Sequence, residues 1–127
     1  MSTAVQDNKI EAQNLIRELF PVQKDGKAKA SINAAFKHMT KHYEALEECT
    51  HRRFRSFWDG DARRIDSFEL DALRREKALR DEAETIEELR RTAAFLEGID
   101  PKVYGQAIED LVYVAHGISL RGENLEE

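Results

Sequence analysis

From Ser67 to Glu97 the chain runs without a single Pro or Gly, and this unbroken stretch limits the fold more than any other feature. It opens with the amphipathic run Phe68-Glu69-Leu70-Asp71-Ala72-Leu73, and Asp66 or Ser67 is placed to cap it. Apolar residues are missing from Arg74 to Lys77, then return at Leu79, Ala83, Ile86, Leu89, Ala93 and Leu96, in steps of three and four. Such spacing predicts one helix of about thirty residues, roughly 45 Å long, which is more than a small domain needs. With 35% charged residues, 2 Pro, 6 Gly and no alternating runs rich in Val, Ile and Thr, the expected class is all-α.

Beyond Gly98, Asp100 and Pro101 read as the N-cap and first residue of a last helix. Tyr104, Ile108, Leu111, Ala115 and Ile118 give it an apolar stripe, flanked by Val103, Ala107, Val112 and Val114. Gly117 or Gly122 is expected to end it, leaving a loose acidic tail from Arg121. The last two helices then form an antiparallel hairpin whose second arm has more apolar surface than one partner helix covers. Dimerisation is the favoured outlet, with Ile86, Leu89, Leu96, Tyr104, Ile108 and Leu111 at the hairpin or dimer interface. The alternative is cover by the first helix, residues 10–20, within one chain.

Residues 1–8 have little to bury and are expected to fray. Asp7 or Asn8 can cap a first helix carrying Ile10, Leu15, Ile16, Leu19 and Phe20, which Pro21 ends. A second helix is expected over Lys27 to His42, with Ile32, Ala35, Phe36 and Met39 inward; Lys27, Lys29, Lys37 and Lys41 make it basic. Residues 43–49 fit either a continuation of that helix or a separate short one.

Next comes Thr50-His51-Arg52-Arg53-Phe54-Arg55-Ser56-Phe57-Trp58, with Thr50 as cap and a turn at Gly60. Five arginines fall within the thirteen residues from Arg52 to Arg64. Phe54, Phe57 and Trp58 share one helical face, Arg52 and Ser56 point the other way, and Arg53 and Arg55 flank them. This is the layout of a helix that reads a DNA groove, although an ordinary amphipathic helix with solvated arginines has the same pattern. The rings are expected in the core; the alternative is stacking on the bases of single strands.

Net charge of −5 hides an uneven distribution: 14 Lys and Arg face 10 Asp and Glu from Lys24 to Arg80, against 4 and 12 from Asp81 to Glu127. The chain therefore divides into a basic region, 1–80, and an acidic assembly region, 81–127. A positive front lets the protein approach phosphate, and an acidic back limits non-specific sticking. On this reading Arg52, Arg55 and Ser56 reach base edges of double-stranded DNA, while Lys27, Lys29, Arg53, Arg63 and Arg64 hold phosphates. For Arg63 and Arg64 the alternative is an ion pair with Asp59, Asp61 or Asp66.

Other chemistries find little support. His38, His42, Cys49 and His51 match no familiar zinc spacing and lack a close Cys pair, so no metal is expected. Cys49 has neither a Gly-rich oxyanion loop nor an orienting third residue nearby, and no phosphate-binding Gly-rich loop occurs. Neither an enzyme nor a cofactor is expected. The single Cys and the want of a signal-like or spanning apolar run fit a cytoplasmic protein with no membrane partner.

The run Lys29-Ala30-Ser31-Ile32-Asn33, then Arg53, Trp58, Gly60, Ala62-Arg63-Arg64-Ile65 and Glu69, resembles a group of small, mostly uncharacterised proteins of phages and α-proteobacteria. These share K-A-x-I-N and W-x-G-x-A-R-R-I patterns and look like helix-turn-helix proteins. The likeness covers roughly Leu19 to Arg80 and extends, more loosely, to the repressor and Cro type of phage domain. It implies a helix-turn-helix-like bundle ahead of the long helix and hairpin, and DNA binding without a known target. The extra residues from Lys41 to Cys49 depart from the pattern. The reading favoured overall is a dimeric, sequence-specific DNA-binding regulator of phage or bacterial type. The alternative is a protein-interaction module, such as a phage-encoded inhibitor or adaptor, acting through the acidic hairpin around Glu84, Glu87 and Glu88.

Overall fold

A computed structural model describes the backbone of residues 3–126 and the side chains of residues 4–119. The described chain is all-α: α1 (Thr3–Leu19), α2 (Ala28–His42), a one-turn 3-10 helix (Glu44–Leu46), α3 (His51–Asp59), α4 (Ser67–Ile99) and α5 (Gly105–Glu126). It divides into two compact units, Met1–Lys77 and Ala78–Glu127, with the boundary inside α4. No described helix is long and apolar enough to cross a membrane.

In the first unit, the aromatic face of α3 is the centre. Phe54, Phe57 and Trp58 are buried among Ala12, Ile16 and Leu19 of α1, Ile32, Ala35 and Met39 of α2, and Leu70 and Leu73 of α4. Both ends of α3 are fastened. Thr50 Oγ1 accepts the Arg53 N–H at 3.2 Å, the expected cap. At the other end Gly60 takes a left-handed conformation, φ 73°, and its N–H bonds Ser56 O at 3.0 Å. A side chain could not replace that glycine cheaply, because a Cβ there would come within 2.8 Å of Gln13 Nε2. The Trp58 carbonyl accepts from Gln13 Nε2 at 3.1 Å and from Arg17 Nε and Nη2 at 3.0 and 2.7 Å. Cationic donors at a helix C-terminus complement its partial negative charge, so α1 grips α3 by its last turn.

Several boundaries differ from expectation. α1 begins at Thr3, so residues 3–8, expected to fray, are helical; residues 1 and 2 lie outside the described residues. α2, by contrast, stops at His42 as expected, and of the two alternatives for residues 43–49 the separate short helix is the one found: residues 43–50 form an eight-residue connection containing the 3-10 turn, with Leu46 buried. A helix-turn-helix joins its helices through three or four residues, so that short junction is absent ahead of α3. The start of α4 is secured in reverse of a simple cap: the Asp66 N–H donates to Glu69 Oε1 at 2.9 Å. Its charged stretch, empty of apolar residues, is bonded within the first unit instead. Arg74 pairs with Glu11 at 2.5 Å, Lys77 with Glu18 at 2.6 Å, and the Tyr43 hydroxyl donates to the buried Glu76 at 2.8 Å.

The second unit holds the remainder of α4 and α5. Ala93 and Ala115 are buried, and Ile86, Leu89, Leu96, Ile108 and Leu111 are partly so; Tyr104 is exposed. Pro101 lies in a turn and does not open α5. Asp100 Oδ1 instead accepts the Lys102 and Val103 N–H groups at 3.0 and 3.2 Å, and α5 starts at Gly105. Neither Gly117 nor Gly122 stops α5, whose backbone stays helical to Glu126 through the tail expected to be loose.

Candidate nucleic-acid interface

With its rings sealed inward and both ends held, α3 presents His51, Arg52, Arg55, Ser56 and Asp59 to the outside. These residues and Asp61 line an open depression of about 870 Å³. Arg52 and Arg55 are exposed. Arg52 carries no ion pair among the described residues, and Arg55 is only loosely paired, 3.9 Å from Asp59. An exposed pair at that distance contributes about 0–1 kcal/mol and leaves the guanidinium available. The Ser56 hydroxyl donates to Arg52 O at 3.2 Å, back along its own helix. His51 is half-buried, its ring edge-on to Phe36 at 5.6 Å.

Arg53 differs from the expectation of a phosphate contact. Its Nε and Nη2 donate to the two carboxylate oxygens of Glu69 at 2.8 and 2.6 Å, and Nη2 also reaches Arg64 O at 2.9 Å. The guanidinium lies over the Phe57 ring at 4.9 Å. Glu69 is only 2% exposed, so the fork is a nearly buried ion pair. The carboxylate raises the Arg53 pKa above its ordinary value, chiefly through the hydrogen bonds. This pair fixes α3 against the start of α4 and takes Arg53 out of the solvent-facing set. Spacing within α3 could not have shown it, because the partner lies sixteen residues on.

Arg63 and Arg64 are exposed in the turn between α3 and α4, and Arg64 pairs with Asp66 at 3.3 Å. Lys27 precedes α2 and Lys29 lies in its first turn, both exposed. Beside Lys27 a smaller cleft of about 220 Å³ opens between Leu19, Phe20, Pro21 and Ala30, and Ser31 closes its base by donating to Pro21 O at 3.1 Å.

His38, His42, Cys49 and His51 have other occupations than zinc or nucleophilic chemistry. His38 Nε2 sits 3.0 Å from Glu76 and its ring lies tilted against that of His42, 4.4 Å between centroids. Cys49 is half-buried with Sγ 3.9 Å from Glu69; burial first, then the Glu69 carboxylate, pushes its thiol pKa up, opposite to what a nucleophile needs. No group of three or more His, Cys, Asp or Glu among the described residues is placed to hold a metal ion. Comparison with known protein families, with curated proteins and with solved structures finds no match to this chain.

Proposed function

We propose that this protein is a sequence-specific DNA-binding regulator acting in the cytoplasm, with the outer face of α3 as its reading surface. The observation that carries the reading is the division of α3 into a sealed aromatic side and a solvent side bearing Arg52, Arg55 and Ser56. A helix held at both ends and by the Arg53–Glu69 fork keeps those side chains at a fixed angle, which groove recognition requires. The long connection ahead of α3 makes this a departure from the short-turn motif, with the same division of labour. Arg63, Arg64, Lys27 and Lys29 serve as phosphate contacts; Arg53 is removed from that role.

Assembly through the second unit completes the proposal. Phe95, Val103 and Tyr113 are 68%, 69% and 79% exposed, large side chains that a partner surface would cover favourably. A second copy covering it would present two α3 helices to one duplex, as two-fold DNA readers do. The same exposure favours the second reading, a different protein partner docking on the acidic unit. Sedimentation equilibrium separates the two: a dimer that Phe95→Asp dissociates supports self-assembly, and a monomer at all concentrations supports the other.

Fluorescence anisotropy on duplex DNA at two salt concentrations tests the function. Log affinity is expected to fall with log salt, by a slope of roughly −0.9 per phosphate neutralised, and Arg63→Ala to reduce the slope by about one. Binding without a salt slope, or no binding at low salt, contradicts the proposal.

A further inference from the structure

The chemistry of the depression narrows what such a surface reads. Of the nine residues of α3, three are buried rings and Arg53 is spent on Glu69. His51 leans on Phe36, and the Ser56 hydroxyl proton is directed at Arg52 O. The donors that remain to reach a ligand are two planar guanidinium forks, Arg52 and Arg55; Ser56 keeps only its acceptor capacity, beside the two carboxylates Asp59 and Asp61. No carboxamide lies on this face: neither Asn nor Gln occurs between His51 and Ile65. In the major groove a guanidinium pairs bidentately with O6 and N7 of guanine, whereas adenine is read by Asn or Gln, and a carboxylate accepts from the cytosine amino group. Side chains three residues apart on a helix start about 5–6 Å apart at Cβ, and successive bases on a strand rise about 3.4 Å. Two guanines one or two steps apart therefore match the two forks.

Asp59 and Asp61 sharpen the choice. Both carboxylates stand at the end of α3 farthest from Arg52, where they repel phosphate and tolerate only a donor such as the cytosine amino group. Along the face the guanidiniums of Arg52 and Arg55 come first and the carboxylates of Asp59 and Asp61 after them, with Arg63 and Arg64 beyond in the turn, and this order sets the direction in which α3 lies along a G·C-containing site.

Resting on the proposed DNA-binding role, we infer that α3 is a guanine reader: its half-site carries two guanines one or two base steps apart, contacted by Arg52 and Arg55.

The test is selection of bound sequences from a random duplex library with the full chain, followed by replacement of each enriched guanine by 7-deazaguanine. That base keeps its pairing and loses the N7 acceptor. Enriched duplexes are expected to share the paired guanines, and each replacement to weaken binding by roughly five- to a hundred-fold. Arg52→Ala, at an exposed position that does not threaten folding, is expected to bind the unmodified duplex as weakly and to become indifferent to replacement of its own guanine. Enrichment of sequences without such guanines, or affinity unmoved by 7-deazaguanine, overturns the guanine assignment while leaving DNA binding standing. Failure to bind any duplex at low salt overturns both.

Discussion

The two units of this chain solve the burial problem differently. In the first, α1, α2, α3 and the start of α4 close around Phe54, Phe57 and Ile16, all fully buried, and three ion pairs fasten its elements: Arg53 with Glu69, Arg74 with Glu11, Lys77 with Glu18. In the second, Ala93 and Ala115 are the buried apolar residues among those described, while Phe95, Ile99, Val103, Val112, Tyr113 and Val114 face outward. The first unit also leaves Val5, Ile10, Val22 and Phe68 to water, but it holds Phe54, Phe57, Ile16, Met39, Leu46 and Leu73 fully buried, whereas the second has no large side chain so buried among the described residues. A unit short of a core in this way gains by association. The function proposed above follows the same division, since a rigid surface would suit reading and an open apolar one would suit assembly.

The comparison breaks most visibly at matched phenylalanines. Phe54→Ala removes a fully buried ring and is expected to cost about 3–5 kcal/mol in urea unfolding. Phe95→Ala, on an outward side chain, is expected to cost less than about 0.5 kcal/mol in the monomer and to show its effect in self-association instead. Equal losses at the two sites would end the distinction between the units.

Next in size is the fork. Arg53→Ala strands the Glu69 carboxylate, whose side chain is almost wholly buried, and is expected to cost about 2–3 kcal/mol, discounted from a fully buried pair because Arg53 keeps some solvent. If Arg53 were a phosphate contact instead, the substitution would leave stability nearly unchanged and lower the salt slope. Gly60→Ala follows at about 1–2 kcal/mol, through a left-handed backbone and the crowding of Gln13.

The smallest effect concerns pH. Hydrogen bonding to Arg74 holds the Glu11 carboxyl below the usual carboxylate range. A depressed carboxylate pKa adds stability that is present above the ordinary value and lost as pH falls through the folded one. Glu11→Gln is therefore expected to lower the melting temperature slightly near neutrality and not at all once both states are protonated. A difference that grows in acid would contradict this pairing.

Much of the first unit was legible in the chain itself. Thr50 and Gly60 bracket α3 because capping and left-handed turns are local chemistry, and the inward rings follow from spacing alone. The eight-residue connection was not legible, since Tyr43 to Cys49 mixes helix-forming Glu and Ala with no strong breaker. Nor was the fate of Arg53: Glu69 follows Asp66 by three, the spacing of a capping box, yet its second duty depends on how α4 meets α3. α5 continues through Gly117 because a mid-helix glycine costs only about 1 kcal/mol and does not by itself end a helix. Pro101 misled because Asp100 caps the turn before α5 as readily as it would cap a helix.

Arginine side-chain NMR observes directly which guanidiniums meet a ligand. In a titration of the full chain with duplex DNA at low salt, the Nε–H signals of Arg52 and Arg55 are predicted to shift, while that of Arg53, bonded to Glu69, stays where it is. Movement of Arg53 with Arg52 and Arg55 still, or shifts confined to the second unit, would contradict the account.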